Sequence, residues 1–531
     1  MHADGGPLDG VRVLDLAGVE AELTGRTLAE LGADVLKVEP PEGAVARRRP
    51  PFDERSRESL YWAAVGAGKA SLVLDLASDE GRARLAELVV AADVMVESFR
   101  PGTTEAWDLG PQRLAALNPA LVHVSVTAYG STGPKAGWPA TELTAEAASG
   151  RMVSQVDGDR PPIPIGHPQA YYHAGVQAAA DAVVALVERQ RSGAGQHLDV
   201  SVQAVMVHTL FGSVSGALLD PEVDADAEAA GLERRARRLE LLPDMWECAD
   251  GFVAAPLGAG ALPLAEHIMG ELAAEGPLDP AVAAIDWPRL AADVLRGRCD
   301  DDVVRAALEL LAGWFRRHTK AELYRLAHEG DFRMGPLLTT ADLVADPHLA
   351  ARGFWSDIGG RTHPGPAVRP LLFDRPPAPA PALGEDRGRP LAWAEATEGR
   401  PASAPPAGPR TGSDGRRPGA LSGLKVADFS WVAVGPTIGR ALADHGATVV
   451  RVESSKRTDV ARVLPPFKGD AKGIDDSHWY AHFNAGKLGL SLNLGTAEGR
   501  QVASGWSTGP TWCWRASPPA PWPSSASTTP P

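Results

Sequence analysis

An α/β fold built on a parallel sheet is predicted by three features of the sequence. Short apolar runs alternate with helical stretches from residue 11 onward. The alternation has the strand-helix-strand rhythm of parallel sheets. The same rhythm returns after residue 420. The predicted architecture is therefore a parallel-sheet large domain with an inserted smaller α+β domain, and a partial second copy of the large domain.

The elements follow in order. Val11-Arg-Val-Leu-Asp-Leu16 reads as a buried strand, Gly25 to Gly32 as a helix closed by Gly32, and Ala33 to Val38 as the next strand. Ser71 to Leu76, Gly81 to Ala91 and Asp93 to Glu97 repeat the unit. From about Asp244 the elements shorten, with a hairpin-type turn at Asp250-Gly251. Helices are expected over Asp301–His318 and Lys320–His328, and the Pro-rich stretch after Phe354 runs back to the first domain. These shifts divide the chain into a large domain (1–235), a small domain (236–345), a return segment (346–390), a linker (391–420), a partial second large domain (421–500) and a tail (501–531).

The second large domain rests on strings that recur 413 to 418 residues later. Leu8-Asp-Gly-Val-Arg-Val-Leu-Asp-Leu16 returns as Leu421-Ser-Gly-Leu-Lys-Val-Ala-Asp-Phe429. Ala29 to Glu39 returns as Ala443 to Glu453, and Gly66-Ala-Gly-Lys69 as Asn484-Ala-Gly-Lys487. So steady a register predicts a tandem fusion. Residues 501–531 hold seven prolines, four tryptophans and one charged side chain, Arg515. That composition reads as an aberrant or disordered tail, such as a shifted reading frame produces.

Composition excludes several functions. The net charge of −15 argues against nucleic acid and anionic membrane as partners. Cys248, Cys299 and Cys513 lie too far apart for a CxxC zinc site or a disulfide framework. The first residues hold no basic segment followed by an apolar run, and no stretch is apolar enough to span a bilayer. A cytoplasmic location is expected. Gly and Pro, 56 and 46 residues, exceed average usage, and the excess clusters around Arg375–Ala420 and in the tail, as in linkers.

Nucleotide signatures fail: no GxGxxG follows the first strand, and Gly66-Ala-Gly-Lys69 is followed by Ala where a phosphate loop needs Ser or Thr. An ordered set of other motifs remains. It comprises Asp15, Gly32-Ala-Asp34, Val38-Glu-Pro-Pro-Glu-Gly43, the basic run Arg47-Arg-Arg49 and Gly68-Lys69 before Leu72-Val-Leu-Asp-Leu76. Asp93-Val-Met-Val-Glu-Ser-Phe-Arg-Pro-Gly102, Tyr129-Gly-Ser-Thr-Gly-Pro134 and Ser192-Gly-Ala-Gly-Gln-His-Leu-Asp-Val200 follow. Over residues 8 to about 385 this set closely resembles the family III CoA-transferases (the CaiB/BaiF family), and 421–500 resemble the start of a second copy.

The resemblance implies transfer of CoA from an acyl-CoA to a small carboxylic acid through an enzyme-bound acyl and CoA intermediate. Coenzyme A is then substrate, with no permanently bound cofactor and no metal, and an interlocked homodimer is the implied assembly. CoA phosphates need converging cations and N–H donors, and the family's contacting positions fall on Arg47, Arg48, Lys69, Ser98 and Arg100. The ordinary role of each cation taken alone is a solvated surface charge. Ser98 stands where the family usually has Asn.

At the catalytic position the resemblance breaks. The family's nucleophilic Asp lies in an Ala-Asp-Leu-Thr-Ala-Gly pattern, where this chain reads Ala170-Tyr-Tyr-His-Ala-Gly175. Tyr171 stands at the Asp position, and a phenol of ordinary pKa near 10 is a poor substitute. Asp157 and Asp159 read as turn residues, Asp181 as helix surface and His173 as structural. The racemase branch of the family needs a His-Asp pair that falls here near Thr141-Glu142, and Thr141 is no base. Two alternatives to an active transferase stay open: a CoA-binding but catalytically inactive half of a fused transferase, and a racemase-type relative.

Overall fold

Six parallel strands organise the first region: β1 (Arg12–Leu16), β2 (Asp34–Glu39), β3 (Ala70–Val73), β4 (Val94–Glu97), β5 (Val122–Thr127) and β6 (Gln196–Ser201). They lie in the order β3-β2-β1-β4-β5-β6. The computed structural model describes residues 6–505 and 511–514, apart from 155–160, 168, 211–240, 258–260, 359, 366–377, 387, 389–392, 394–417, 465–466 and 468–472. Helices of this region are α1 (Glu22–Glu30), α2 (Leu60–Val65), α3 (Asp79–Ala91), α4 (Thr103–Ala106), α5 (Pro111–Leu117), α6 (Glu142–Ala148), α7 (Ala170–Ser192) and α8 (Val202–His208).

Side chains alternate across each strand, so each feeds two cores. Val13, Val35, Val94 and Val124 pack with Leu28 of α1 and Ala174, Ala178 and Ala182 of α7. Leu14, Leu36 and Met95 pack on the other face with Leu85 and Leu88 of α3 and Leu114 of α5. The small residues of α7 allow close approach to α1: a Cβ on Gly175 would lie 3.0 Å from the Leu23 Cβ. Helix α1 starts a turn before the predicted Gly25. Gly25 sits inside the helix because a Cβ there would fall 2.1 Å from an Asp15 carboxylate oxygen.

A second unit spans residues 221–354. In it, β7 (Met245–Cys248) and β8 (Gly251–Ala254) form the expected hairpin, and β8 also pairs with β9 (Gly335–Pro336), all antiparallel. Its core is helical, with Trp246 stacked on Phe315 at 4.9 Å and Leu311 and Ile268 wholly buried. The chain re-enters the first unit at Trp355 with the hairpin β10 (Trp355–Ile358) and β11 (Arg361–Pro364). Ala378 and Glu385 carbonyls accept the Gly68 and Ser71 amides at 2.9 Å. Trp393 falls in the stretch expected to be linker. It is buried beneath the sheet, and its indole N–H donates to Asp34 at 2.7 Å.

Residues 418–505 build β12 (Lys425–Asp428), β13 (Thr448–Glu453) and β14 (Leu488–Ser491). With β15 (Thr511–Trp514) they form a parallel sheet ordered β14-β13-β12-β15, the order of β3-β2-β1-β4. Strand β15 falls in the stretch expected to be an unstructured tail, yet its backbone pairs in register with β12 from Lys425↔Thr511 to Asp428↔Trp514. Among the described residues no helix is long and apolar enough to cross a membrane.

Candidate active site

Strand order reverses between β1 and β4, and open α/β sheets form ligand crevices beyond the carboxyl ends of such strands. The loops leaving these two strands touch here. The Gly18 amide donates to the Ser98 hydroxyl at 2.7 Å, and that hydroxyl donates to Glu20 at 3.3 Å. Ser98 thus lies on the loop after β4, bonded to the loop after β1 at the end of the sheet where strand order reverses. Arg100, two residues on, is exposed.

The other predicted cations separate. Lys69 precedes β3 and is not a surface charge: it is 0% exposed. Its Nζ donates to Asp15 at 2.7 Å and to the Glu22 carboxylate and carbonyl at 3.2 and 3.0 Å. Lys37 completes the group, 3.2 Å from Asp15 and 3.1 Å from Glu22. With three acceptors satisfied inside the protein, Lys69 has no donor left for a phosphate. Arg47 forms a bidentate pair with Glu39, both bonds at 2.7 Å, and stacks 4.1 Å from the Trp62 ring centre. It fixes the loop after β2. Arg48 is exposed, donating to the Glu42 carbonyl at 2.7 Å.

Tyr171 lies in the first turn of α7 and lines a cavity of about 410 Å³. Arg49, Tyr61, Glu142, His167 and Tyr172 share this cavity, and Val19, Leu60 and Pro50-Pro51 supply apolar wall. Burial, with the Glu20 and Glu142 carboxylates nearby, pushes the Tyr171 phenol well above its ordinary value, so it stays neutral. Burial likewise pushes Tyr61 up to about 12.

Glu142 is the first residue of α6, whose N-cap Thr141 exchanges bonds reciprocally with Thr144. Its Oε1 accepts the Tyr171 amide at 3.2 Å. Burial raises its carboxyl above the usual range, the Tyr171 amide and Arg49 opposing and Glu146 assisting. Arg49 stacks 4.7 Å from the Tyr61 ring centre and makes no ion pair among the described residues.

Of the neighbours weighed as replacement nucleophiles, Asp157 and Asp159 lie outside the described residues. Asp181 sits three turns along α7, accepting from Gln177 at 3.0 Å, and His173 is exposed. Neither lines the cavity. The residues that sequence reasoning passed over are Arg49, Tyr61, His167 and Tyr172. Arg49 was visible only as the third member of a basic run.

Known proteins bear on this geometry. The model of CoA-transferase family III matches residues 8–387 and again 421–505. The chain is 33% identical to a succinyl-CoA--D-citramalate CoA-transferase of Chloroflexus aurantiacus, over 65% of this chain and 82% of that protein. It is 30% identical to a succinate--glutarate CoA-transferase of Agrobacterium fabrum, over 74% of this chain and 96% of that one. A crystal structure of a CaiB/BaiF family protein from Brucella suis superposes with a TM-score of 0.60 at 28% identity, covering 74% of this chain and all of that one. Fold, crevice and sequence agree: this chain belongs to CoA-transferase family III, whose relatives move CoA from an acyl-CoA to a carboxylic acid.

Proposed function

We propose that this chain itself moves CoA from a dicarboxylic acyl-CoA, of the succinyl-CoA class, to a small carboxylic acid, with the acyl group seated in the Tyr171 cavity. One observation carries the substrate class. Arg49 is a half-buried cation on the cavity wall with no ion pair among the described residues, so a distal carboxylate on the acyl group would be its partner. The relatives' names point the same way, since they act on succinyl-CoA, succinate or glutarate.

Arg48 and Arg100, both exposed, on the loops after β2 and β4, are the cations proposed for the CoA phosphates. Ser98 orders the crossing loops, while Arg47 and Lys69 act as positioning residues through Glu39 and Asp15. The exchange changes no oxidation state, so it draws on no redox cofactor. A tandem fusion working in the cytoplasm, as a homodimer of the family type, completes this reading.

Mixing the purified chain with succinyl-CoA and a series of mono- and dicarboxylates, followed by mass spectrometry of the CoA esters, tests it. Formation of a new acyl-CoA with stoichiometric succinate is expected; binding of succinyl-CoA without exchange to any acid would favour the inactive CoA-binding half instead, which Tyr171 motivates. For the phosphate contacts, Arg100→Ala should raise KM for succinyl-CoA about tenfold and leave kcat within about twofold, as loss of uniform binding does. An unchanged KM would remove Arg100 from the site.

A further inference from the structure

Resting on the transferase reading, we propose that Glu142 is the carboxylate that accepts the acyl group, in place of the nucleophile that Tyr171 cannot be. Glu142 is the carboxylate that lines the cavity. Its backbone is fixed by the α6 capping box and its Oε1 by the Tyr171 amide at 3.2 Å. The amino end of the 23-residue α7 faces it, favouring the anion. Arg49 lines the same cavity and is close enough to lower the Glu142 carboxyl, so an acyl group anchored at Arg49 by a distal carboxylate would have its thioester within the cavity that holds Glu142. Partial removal from water makes this carboxylate less solvated than a surface one, and a less solvated anion attacks more readily.

The chemistry balances without a co-reactant. A Glu142 carboxylate oxygen bonds to the thioester carbonyl carbon, the C–S bond breaks, and CoA leaves as thiolate, leaving Glu142 and the acyl group joined as a mixed anhydride. The thiolate then bonds to the Glu142 carbonyl carbon, breaking the anhydride C–O bond and releasing the donor acid as carboxylate. The acceptor carboxylate reverses these two steps, attacking the glutamyl thioester and then receiving the thiolate. Each step makes one bond and breaks one, and Glu142 ends as it began, with no net proton or electron moved.

The plain structural role for Glu142 is to cap α7. Glu142→Gln separates the two, because the amide carbonyl still accepts the Tyr171 N–H but cannot form an anhydride. The experiment incubates wild-type chain with succinyl-CoA, quenches with hydroxylamine and maps peptides for a hydroxamate. A hydroxamate at Glu142 is expected. Glu142→Gln should lower CoA transfer about a thousandfold or more, as loss of a nucleophile does, with the dissociation constant for CoA within about threefold. Glu142→Asp should keep more turnover than Glu142→Gln.

The groups facing Glu142 are Arg49, Tyr61, Glu146, His167, Tyr171 and Tyr172. Because burial and Glu146 together outweigh the α7 amides and Arg49, the acid limb of kcat/KM should lie above the ordinary glutamate range. A hydroxamate on another residue, or Glu142→Gln turning over at the wild-type rate, overturns the assignment and leaves the transferase reading intact. A wild-type chain that neither exchanges CoA nor forms an adduct overturns both.

Discussion

Lys69→Met is expected to destabilise the first unit by about 3–5 kcal/mol, the cost of leaving a buried charge uncompensated. The group around it holds two carboxylates, Asp15 and Glu22, and two ammonium groups, Lys37 and Lys69, each at most 2% exposed. Every carboxylate contacts both lysines, at 2.7 to 3.2 Å. Removing one lysine leaves net negative charge where water cannot reach it. Given total stabilities of about 5–15 kcal/mol, that loss is a large fraction. Adding Glu22→Gln to Lys69→Met restores neutrality and should recover part of the loss. Urea melts of the two variants check this; a double variant no better than the single would mean that packing, not charge balance, sets the cost.

The second region supports the charge argument, because it reaches the same balance with different residues. Asp428 and Lys487 pair at 2.8 Å as Asp15 and Lys69 do, and Arg451 stands for Lys37. Pro436 lies where Glu22 would be, accepting from Lys487 through its carbonyl at 2.7 Å, as the Glu22 carbonyl accepts from Lys69. The missing carboxylate is supplied by Asp459, ion-paired with Arg451. Arg451 also lies 4.0 Å from Glu453, which Arg462 neutralises at 2.8 Å, so anions and cations still balance. Titration has a definite sign here. Lys37 and Lys69 hold the Asp15 carboxyl below its ordinary value against the opposing effect of burial, so its contribution is present above that value and lost as pH falls through the depressed one. Lys37 is shifted upward by Asp15 and Glu22 against its own burial, so its contribution is present below the ordinary lysine value and lost only as pH rises past the raised one. Removing Lys69 lifts part of the Asp15 depression, so the destabilisation by Lys69→Met should be largest near neutral pH and shrink as pH falls and the excess carboxylate protonates.

The buried group was half legible in sequence. Asp15 and Lys37 interrupt two apolar strands, and charges at such places must find partners. In the parallel register they are direct neighbours, Asp15↔Lys37. Lys69 gave no such warning, since Gly-Ala-Gly-Lys reads as a loop and loops carry exposed lysines. The strands themselves were legible because continuous apolar runs leave little choice of structure, whereas β15 was hidden by the prolines that follow it. The basic run was the least legible part. A short 3-10 turn over Val45–Arg48 sends Arg47 back to Glu39 and Arg48 to the Glu42 carbonyl. Arg49 then follows in extended backbone and reaches the cavity. Three identical side chains receive three roles from backbone geometry alone.

Tyr171→Asp is the second large effect, and it is sharpest in the background of Glu142→Gln. In that background the cavity holds no acyl acceptor, and the aspartate should restore CoA transfer by about a hundredfold or more over the single variant. The reason is positional: residue 171 lies in the first turn of α7, where backbone N–H groups favour an anion, and Arg49 lines the same cavity. In the otherwise wild-type chain the new carboxylate would share its site with Glu142, so one of the two must titrate upward and the acid limb of the rate profile should move with the pair. Tyr171 is only 8% exposed and packs with the α7 core, so truncation should cost about 2–4 kcal/mol of stability. Affinity for CoA should stay within about threefold, because Arg48 and Arg100 are untouched. Hydroxylamine trapping with succinyl-CoA reads the outcome directly: the hydroxamate should move from Glu142 to position 171 in the double variant. A double variant that binds CoA but forms no adduct would mean that position 171 is not aimed at the thioester. The cavity would then seat some other part of the substrate.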